Sequence, residues 1–227
     1  MLILYIGNKN YSSWSLRPWV LMRELGIDFE EKLVPFAQPG EPSAFTWFSP
    51  TGKVPCLVDE GTTVWDTLGI TEYLAERFPA VWPKAAPARA FARCASAEMH
   101  SGFATLRTIC AMNCGLRIRL NGVPPALAQD LARLDALWQQ GLARFGGPFL
   151  AGERFTAMDA FFAPVAFRLQ TYSPPVSPIA RDYAERLVAL PSMRAWYAAA
   201  LAEPWRETDH ERETLQHGAL VEDLRTG

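Results

Sequence analysis

The chain has 227 residues, 49% hydrophobic and 20% charged, a globular balance that excludes disordered and fibrous classes. Its 22 Lys and Arg against 24 Asp and Glu leave a net charge of −2, which provides no basic field to draw nucleic acid or an acidic membrane. The length admits one large domain or two small ones, and no stretch approaches the ~20 apolar residues of a membrane span.

Met1–Gly7 turns polar at Asn8-Lys9-Asn10 with no basic leader and no cleavage site, so an untargeted, cytoplasmic chain is expected. Leu2–Ile6 is an apolar run of strand length. Leu16, Trp19, Val20 and Leu25 then fall at helical spacing and stop at Gly26. Pro18 is tolerated in a first turn, which puts the start of this helix near Ser15. Phe29–Val34 reads as a second strand, and Cys56–Asp59, Glu60-Gly61 and Thr62–Trp65 as a hairpin. A helix from about Thr67 to Phe78 ends at Pro79. Beyond a Pro-punctuated linker the strand signals vanish. Ala88 to about Arg119 reads as one long helix with Gly102 inside it, where a glycine suits close packing, for instance across a dimer axis. Leu127 to Phe145 makes a second stripe, Thr156-Ala157-Met158-Asp159 is a capping-box-like helix start, and Pro191 opens a later helix. The expected organisation is an α/β domain over residues 1–80, a linker over 81–87, an all-α domain over 88–205 and a polar tail over 206–227.

Cys56, Cys94, Cys110 and Cys114, with His100, His210 and His217, show no metal or redox spacing, so structural thiols in a reducing compartment and no metal are expected. Chemistry concentrates in the first domain. Tyr11-Ser12-Ser13-Trp14-Ser15-Leu16-Arg17 puts three hydroxyls between a strand and a helix start. One Ser satisfies a cap; three beside free N–H groups and a positive dipole end make an anion or thiolate site. Gly52-Lys53-Val54-Pro55 puts a proline directly before a strand, where a cis bond would free the Val54 backbone for an extended peptide. Asp66-Thr67 sets a carboxylate beside a helix N-terminus, both signs at one spot, which suits an amino-acid zwitterion.

In this order, over roughly residues 2–200, these segments resemble the glutathione transferase superfamily. Ser12-Ser13-Trp14-Ser15-Leu16-Arg17 is similar to the Ser-Ser-Cys-Ser-x-Arg stretch of the zeta class, so the likeness is to zeta-like, serine-type bacterial members, with Trp14 where that class has Cys. Gly52–Pro55 resembles the family's cis-proline loop, Asp66-Thr67 its Glu/Asp-Ser pair, and Gly152–Asp159 its capping box. The resemblance implies a thioredoxin-like glutathione-binding domain, an all-α second-substrate domain and a homodimer. It implies a glutathione site at Ser12, Gln38, Lys53, Val54, Pro55, Asp66 and Thr67. It also implies a second-substrate pocket for a small electrophile, with Trp14, His100, Phe103 and Arg107 as candidates. Glutathione is then the co-substrate, in a detoxifying transferase. Lowering a thiol pKa from ~8.5 by two requires ~2.7 kcal/mol of thiolate stabilisation. One hydroxyl donated to a charged sulfur contributes ~1.5–3 kcal/mol and a helix N-terminus ~0.3–1, so Ser12 meets the need without a general base. Ser13 and Ser15 are the alternates, with Ser15 nearer the expected cap. Two other readings stand beside this one. One is glutathione-dependent cis–trans isomerisation of a small dicarboxylate, with Arg17, Arg107 and Arg117 as available cations. The other is a transferase-fold protein that binds partners and catalyses nothing.

Overall fold

The computed structural model describes residues 1–225. A four-stranded sheet in the order β2-β1-β3-β4 forms the first half. β1 (Leu2–Ile6) runs parallel to β2 (Phe29–Leu33) and antiparallel to β3 (Cys56–Asp59), which pairs with β4 (Thr62–Trp65) as the expected hairpin. The parallel pair needs a crossover, supplied by α1 (Ser13–Glu24). Leu2, Leu4 and Ile6 alternate into the core while Ile3 and Tyr5 stay half-buried, the period of two of a sheet covered more fully on one face. α2 (Thr67–Arg77) follows the hairpin.

The second half is built around α6 (Ala157–Tyr172), whose residues are almost all buried, between α3 (Ala86–Ser101) and α7 (Pro178–Val188) and against α1 of the first half. The capping box at its start is present. Buried Asp159 accepts from the backbone N–H groups of Leu150 at 3.0 Å and Thr156 at 2.9 Å, and from the Tyr183 hydroxyl at 2.8 Å. α5 (Pro125–Phe145) and α8 (Pro191–Ala202) complete the main helices.

Three expectations are corrected. The helix over 88–119 is broken: α3 stops at Ser101, α4 spans only Ala104–Ile109, and Leu116–Leu120 is a strand, β5. Gly102 is the C-cap of α3, where a Cβ would lie 2.8 Å from the Glu98 carbonyl oxygen, so it sits at the turn that ends the helix and not inside it. Ala92, Ala95, Met99, Leu106 and Cys110 are all buried as their spacing implied. The break keeps both pieces on one core face, so periodicity alone passed over it. Second, α1 begins at Ser13 with Ser12 as N-cap, and Pro18 lies inside the helix. Third, the segment after Arg206 folds. α9 (Thr208–Leu215) leads into β6 (Gly218–Asp223), which pairs antiparallel with β5.

Arg225 anchors that return. Its side chain is 2% exposed and donates to the Tyr11 hydroxyl at 2.8 Å and to the carbonyls of Glu203 and Trp205, with the Glu211 carboxylate 3.6 Å away. Leaving buried acceptors without their donor costs ~1–3 kcal/mol. Arg225→Met is therefore expected to lower unfolding stability by about that amount in urea titrations. A loss under about 1 kcal/mol would mean that the returning segment is not part of the folding unit.

Candidate active site

A cleft of about 920 Å³ opens between the two halves. One wall is the N-terminus of α1 with the Gly52–Val54 loop, one is α4 with Arg168 of α6, and the third is the start of α9. Ser12, Ser13 and Trp14 all line it.

The three serines hold different positions. Ser15 is fully buried; its Oγ accepts the Gly7 N–H at 3.1 Å and lies 2.7 Å from Ser12 Oγ. Ser12, the actual cap, sits 3.4 Å from the Ser15 N–H, a long bond that leaves its hydroxyl weakly committed to capping. Ser13 makes no side-chain hydrogen bond among the described residues and faces the same cleft. The neighbouring Tyr11 hydroxyl is fully engaged: it donates to Glu211 at 2.5 Å and accepts from Arg225 and the Glu207 N–H. Burial, with Glu211 acting in the same direction, pushes its pKa up to about 12, so it remains a protonated structural group. No cysteine lines the cleft. Burial pushes the Cys56, Cys110 and Cys114 thiols up, Cys110 to about 12, which makes them inert.

The Val54-Pro55 bond is cis, and Val54 and Lys53 line the cleft. Behind them Gly7 is required by close approach: a Cβ there would meet Phe36 at 3.0 Å and Val54 at 3.1 Å. Asp66 caps α2 in the left-handed region (φ 52°), accepting the Leu68 N–H at 2.9 Å, with His100 Nε2 3.6 Å away. Thr67 is buried and donates its hydroxyl to the Trp14 carbonyl at 3.2 Å. That carbonyl is the one Pro18 leaves unpaired four residues on, so Thr67 supplies the missing donor and ties the start of α2 to α1.

Arg17 lies behind Trp14, 1% exposed, its guanidinium 4.0 Å from the Trp14 ring centroid and 5.4 Å from that of Phe161. None of its three nitrogens has a hydrogen-bond partner among the described residues. Burial drives its pKa well down, Arg168 and Arg107 push the same way, and Asp66 opposes. Arg107 reaches over Trp14 at 5.2 Å, and Arg168 donates to the carbonyls of Arg107 and Cys110 with its Nε unpaired. Both line the cleft.

Of the residues expected from sequence, Ser12, Ser13, Lys53, Val54, Trp14 and Arg107 come together in the cleft. Ser15 and Pro55 are buried behind it, and Asp66 and Thr67 lie beyond its lining. Gln38 is turned away, its amide donating to the Arg206 carbonyl at 3.2 Å. His100 faces Asp66, Phe103 is packed in the core, and Arg117 binds the Tyr197 hydroxyl outside the cleft. Sequence reasoning missed Phe36, Arg168, Glu207 and His210, all cleft residues. The only local signal was the three-residue spacing of Glu207 and His210. Among the described residues no group of His, Cys, Asp or Glu is placed to hold a metal ion, and no helix is long and apolar enough to cross a membrane.

Two family profiles match the chain: the N-terminal domain of glutathione S-transferase over residues 11–77 and the C-terminal domain over 119–199. A probable maleylacetoacetate isomerase from Caenorhabditis elegans is 26% identical over 183 residues, spanning 78% of this chain and 82% of its own. Glutathione S-transferase DHAR2 from Arabidopsis thaliana is 30% identical over 149 residues, 63% of each chain. Among solved structures, a glutathione transferase homolog from Burkholderia gl BGR1 with bound glutathione superposes with a TM-score of 0.68 at 26% identity, covering 88% of this chain and 97% of that one.

Proposed function

The chain belongs to the glutathione S-transferase family and is glutathione transferase-like in function; on that premise we propose that the cleft binds glutathione at the N-terminus of α1 and activates its thiol as a serine-type enzyme. The observation that carries this is the Gly7–Ser15–Ser12 chain. Ser15 Oγ accepts both the Gly7 N–H at 3.1 Å and the Ser12 hydroxyl at 2.7 Å, and a thiolate in the cleft would draw the Ser12 proton from Ser15 to sulfur. Ser15 is then a positioning residue. The cysteinyl backbone would lie along Val54, and the γ-glutamyl end would reach Asp66 and the Thr67 N–H, within the field of Arg17. Lys53 remains for the glycyl carboxylate. Gln38 loses that role with its amide occupied.

A second reading, isomerisation of a small dicarboxylate, is favoured by Arg107 and Arg168 on the cleft wall, two cations suited to carboxylates. Conjugation and isomerisation assays on one preparation separate the two. The four free cysteines, three of them buried, suit a reducing compartment, and with it a cytoplasmic, detoxifying role.

Calorimetric titration tests the binding site directly. Glutathione is expected to bind the wild type, and Asp66→Ala to weaken it by ~1.5–3 kcal/mol, the range for a hydrogen bond to a charged group. An unchanged dissociation constant in the folded variant rejects the γ-glutamyl assignment.

The relay is tested by titrating the thiolate absorbance of the binary complex. Ser12→Ala is expected to raise the pKa of bound glutathione by about one to two, equivalent to ~1.5–3 kcal/mol. Ser15→Ala should raise it less and Ser13→Ala scarcely at all. A response confined to Ser13→Ala transfers the role to that residue.

A homodimer is part of the same reading. It is supported by the family resemblance and by Trp47 and Trp65, which are 66% and 46% exposed on the first half. Equilibrium sedimentation at micromolar concentration should give twice the 25.3 kDa chain mass, and a single species at chain mass refutes it.

A further inference from the structure

Beside Tyr11, next to the α1 N-terminus, the cleft is lined by the segment that opens α9. Glu207 is buried, and its carboxylate caps the helix, accepting the backbone N–H of Asp209 at 3.3 Å and of His210 at 2.7 Å. The same carboxylate also lies 2.5 Å from His210 Nδ1. Burial alone would raise the Glu207 pKa, but the hydrogen bonds from His210 and the Asp209 backbone hold it below the ordinary carboxylate range. A carboxylate bonded to Nδ1 fixes the tautomer with hydrogen on Nδ1 and leaves Nε2 as an acceptor. Nε2 makes no hydrogen bond among the described residues, and His210 lines the cleft.

The ring is also held in place. Its centroid lies 5.2 Å from that of Tyr11, the residue before Ser12, and 4.9 Å from that of Phe36, against which it stacks. Phe36 packs beside Val54 over Gly7. The imidazole therefore packs against the residues next to Ser12 and Val54, both of which line the same cleft. The other charged and titratable groups around it are the neutral Tyr11 hydroxyl, Glu211 and Arg225, which bond that hydroxyl, and Asp209 and Glu213 on the same wall. A helix cap alone requires the Glu207 carboxylate and not an imidazole clamped between two aromatic rings.

We propose that His210, oriented by Glu207, is the general base that takes the proton from the thiol of bound glutathione, while the Ser12 hydroxyl stabilises the sulfur anion. The proposal rests on the glutathione reading above. The S–H proton passes to Nε2, the sulfur electron pair forms the bond to the electrophilic carbon, and a leaving-group bond breaks or a π bond opens at that carbon. The imidazolium, stabilised by Glu207, then gives its proton to the leaving group or the new carbanion.

The test combines calorimetry with pH–rate profiles of conjugation for the wild type, His210→Gln and Glu207→Gln. His210→Gln is expected to bind glutathione within about threefold of wild type, to lose about 100-fold or more in kcat/KM, and to lose the acidic limb of the profile. Glu207→Gln keeps a capping acceptor and removes the charge that favours imidazolium, so its acidic limb should move to lower pH. Added imidazole should restore part of the rate to His210→Gly. Wild-type rate and profile in His210→Gln, or no movement of the limb in Glu207→Gln, would overturn the role of His210 and leave the glutathione reading intact. Failure of the wild type to bind glutathione would overturn both.

Discussion

The loop from Asn8 to Tyr11 is held by the helical half of the molecule, and the position of every group at the α1 N-terminus depends on that hold. The Glu203 carboxylate accepts the Lys9 N–H at 2.5 Å and the Asn10 N–H at 3.3 Å. Trp196 donates its indole N–H to the Lys9 carbonyl at 2.9 Å. Asn10 is fully buried, giving its amide to Asn113 at 3.0 Å and accepting the Gly115 N–H at 2.9 Å. The Lys9 ammonium turns back to Glu31 of β2 at 2.6 Å. Net gains from single bonds of this kind are ~0.5–1.5 kcal/mol, but leaving a buried partner unpaired costs ~1–3. The network therefore has one low-energy arrangement, and that arrangement sets where Ser12 begins the helix. Burial pushes the Glu203 carboxyl pKa up while the two N–H donors pull it down.

A second constraint links the starts of α1 and α2. Pro18 removes a helical donor, and Thr67 repairs the loss from another helix, which brings the Asp66 cap alongside Trp14 and Arg17. Arg17 is the expensive member of this group, a buried cation whose nitrogens have no hydrogen-bond partner among the described residues and whose surroundings are two aromatic faces and two further arginines, opposed by the Asp66 carboxylate. Cation–π contact contributes ~2 kcal/mol or more when desolvated, which offsets part of the burial of a charge. Positive charge held this close to the cleft, with only Asp66 and Asp130 acting against it, favours an anion there.

Much of this was legible residue by residue. The strand at Leu2–Ile6, the hairpin around Glu60-Gly61, the helix after Asp66 and the capping box at Thr156 each follow from local propensity, turn chemistry or a three-residue spacing, and each stands as expected. The three serines stood out by their own short motif, whereas the cis Val54-Pro55 bond was expected through the family resemblance. Trp14 and Arg107 were candidates for the pocket and do line the cleft, while Arg168, also on the wall, was not singled out.

Local order in the sequence thus determined the two-part architecture, the Ser12–Arg17 segment and the Asp66-Thr67 cap, because periodicity and capping act within one or two turns of chain. Tertiary structure alone decided which serine caps α1, where the helix after Ala88 breaks and how residues 207–225 fold. Ser12 takes the cap because Ser15 is needed by Gly7. Gly102 stops α3 where the chain must turn. β5 is a strand because β6, about a hundred residues later, is there to pair with it, and Arg225 holds the return through Tyr11. Such pairings join residues far apart in the chain, so no window of neighbouring residues contains them, and His210 reached the cleft by that route.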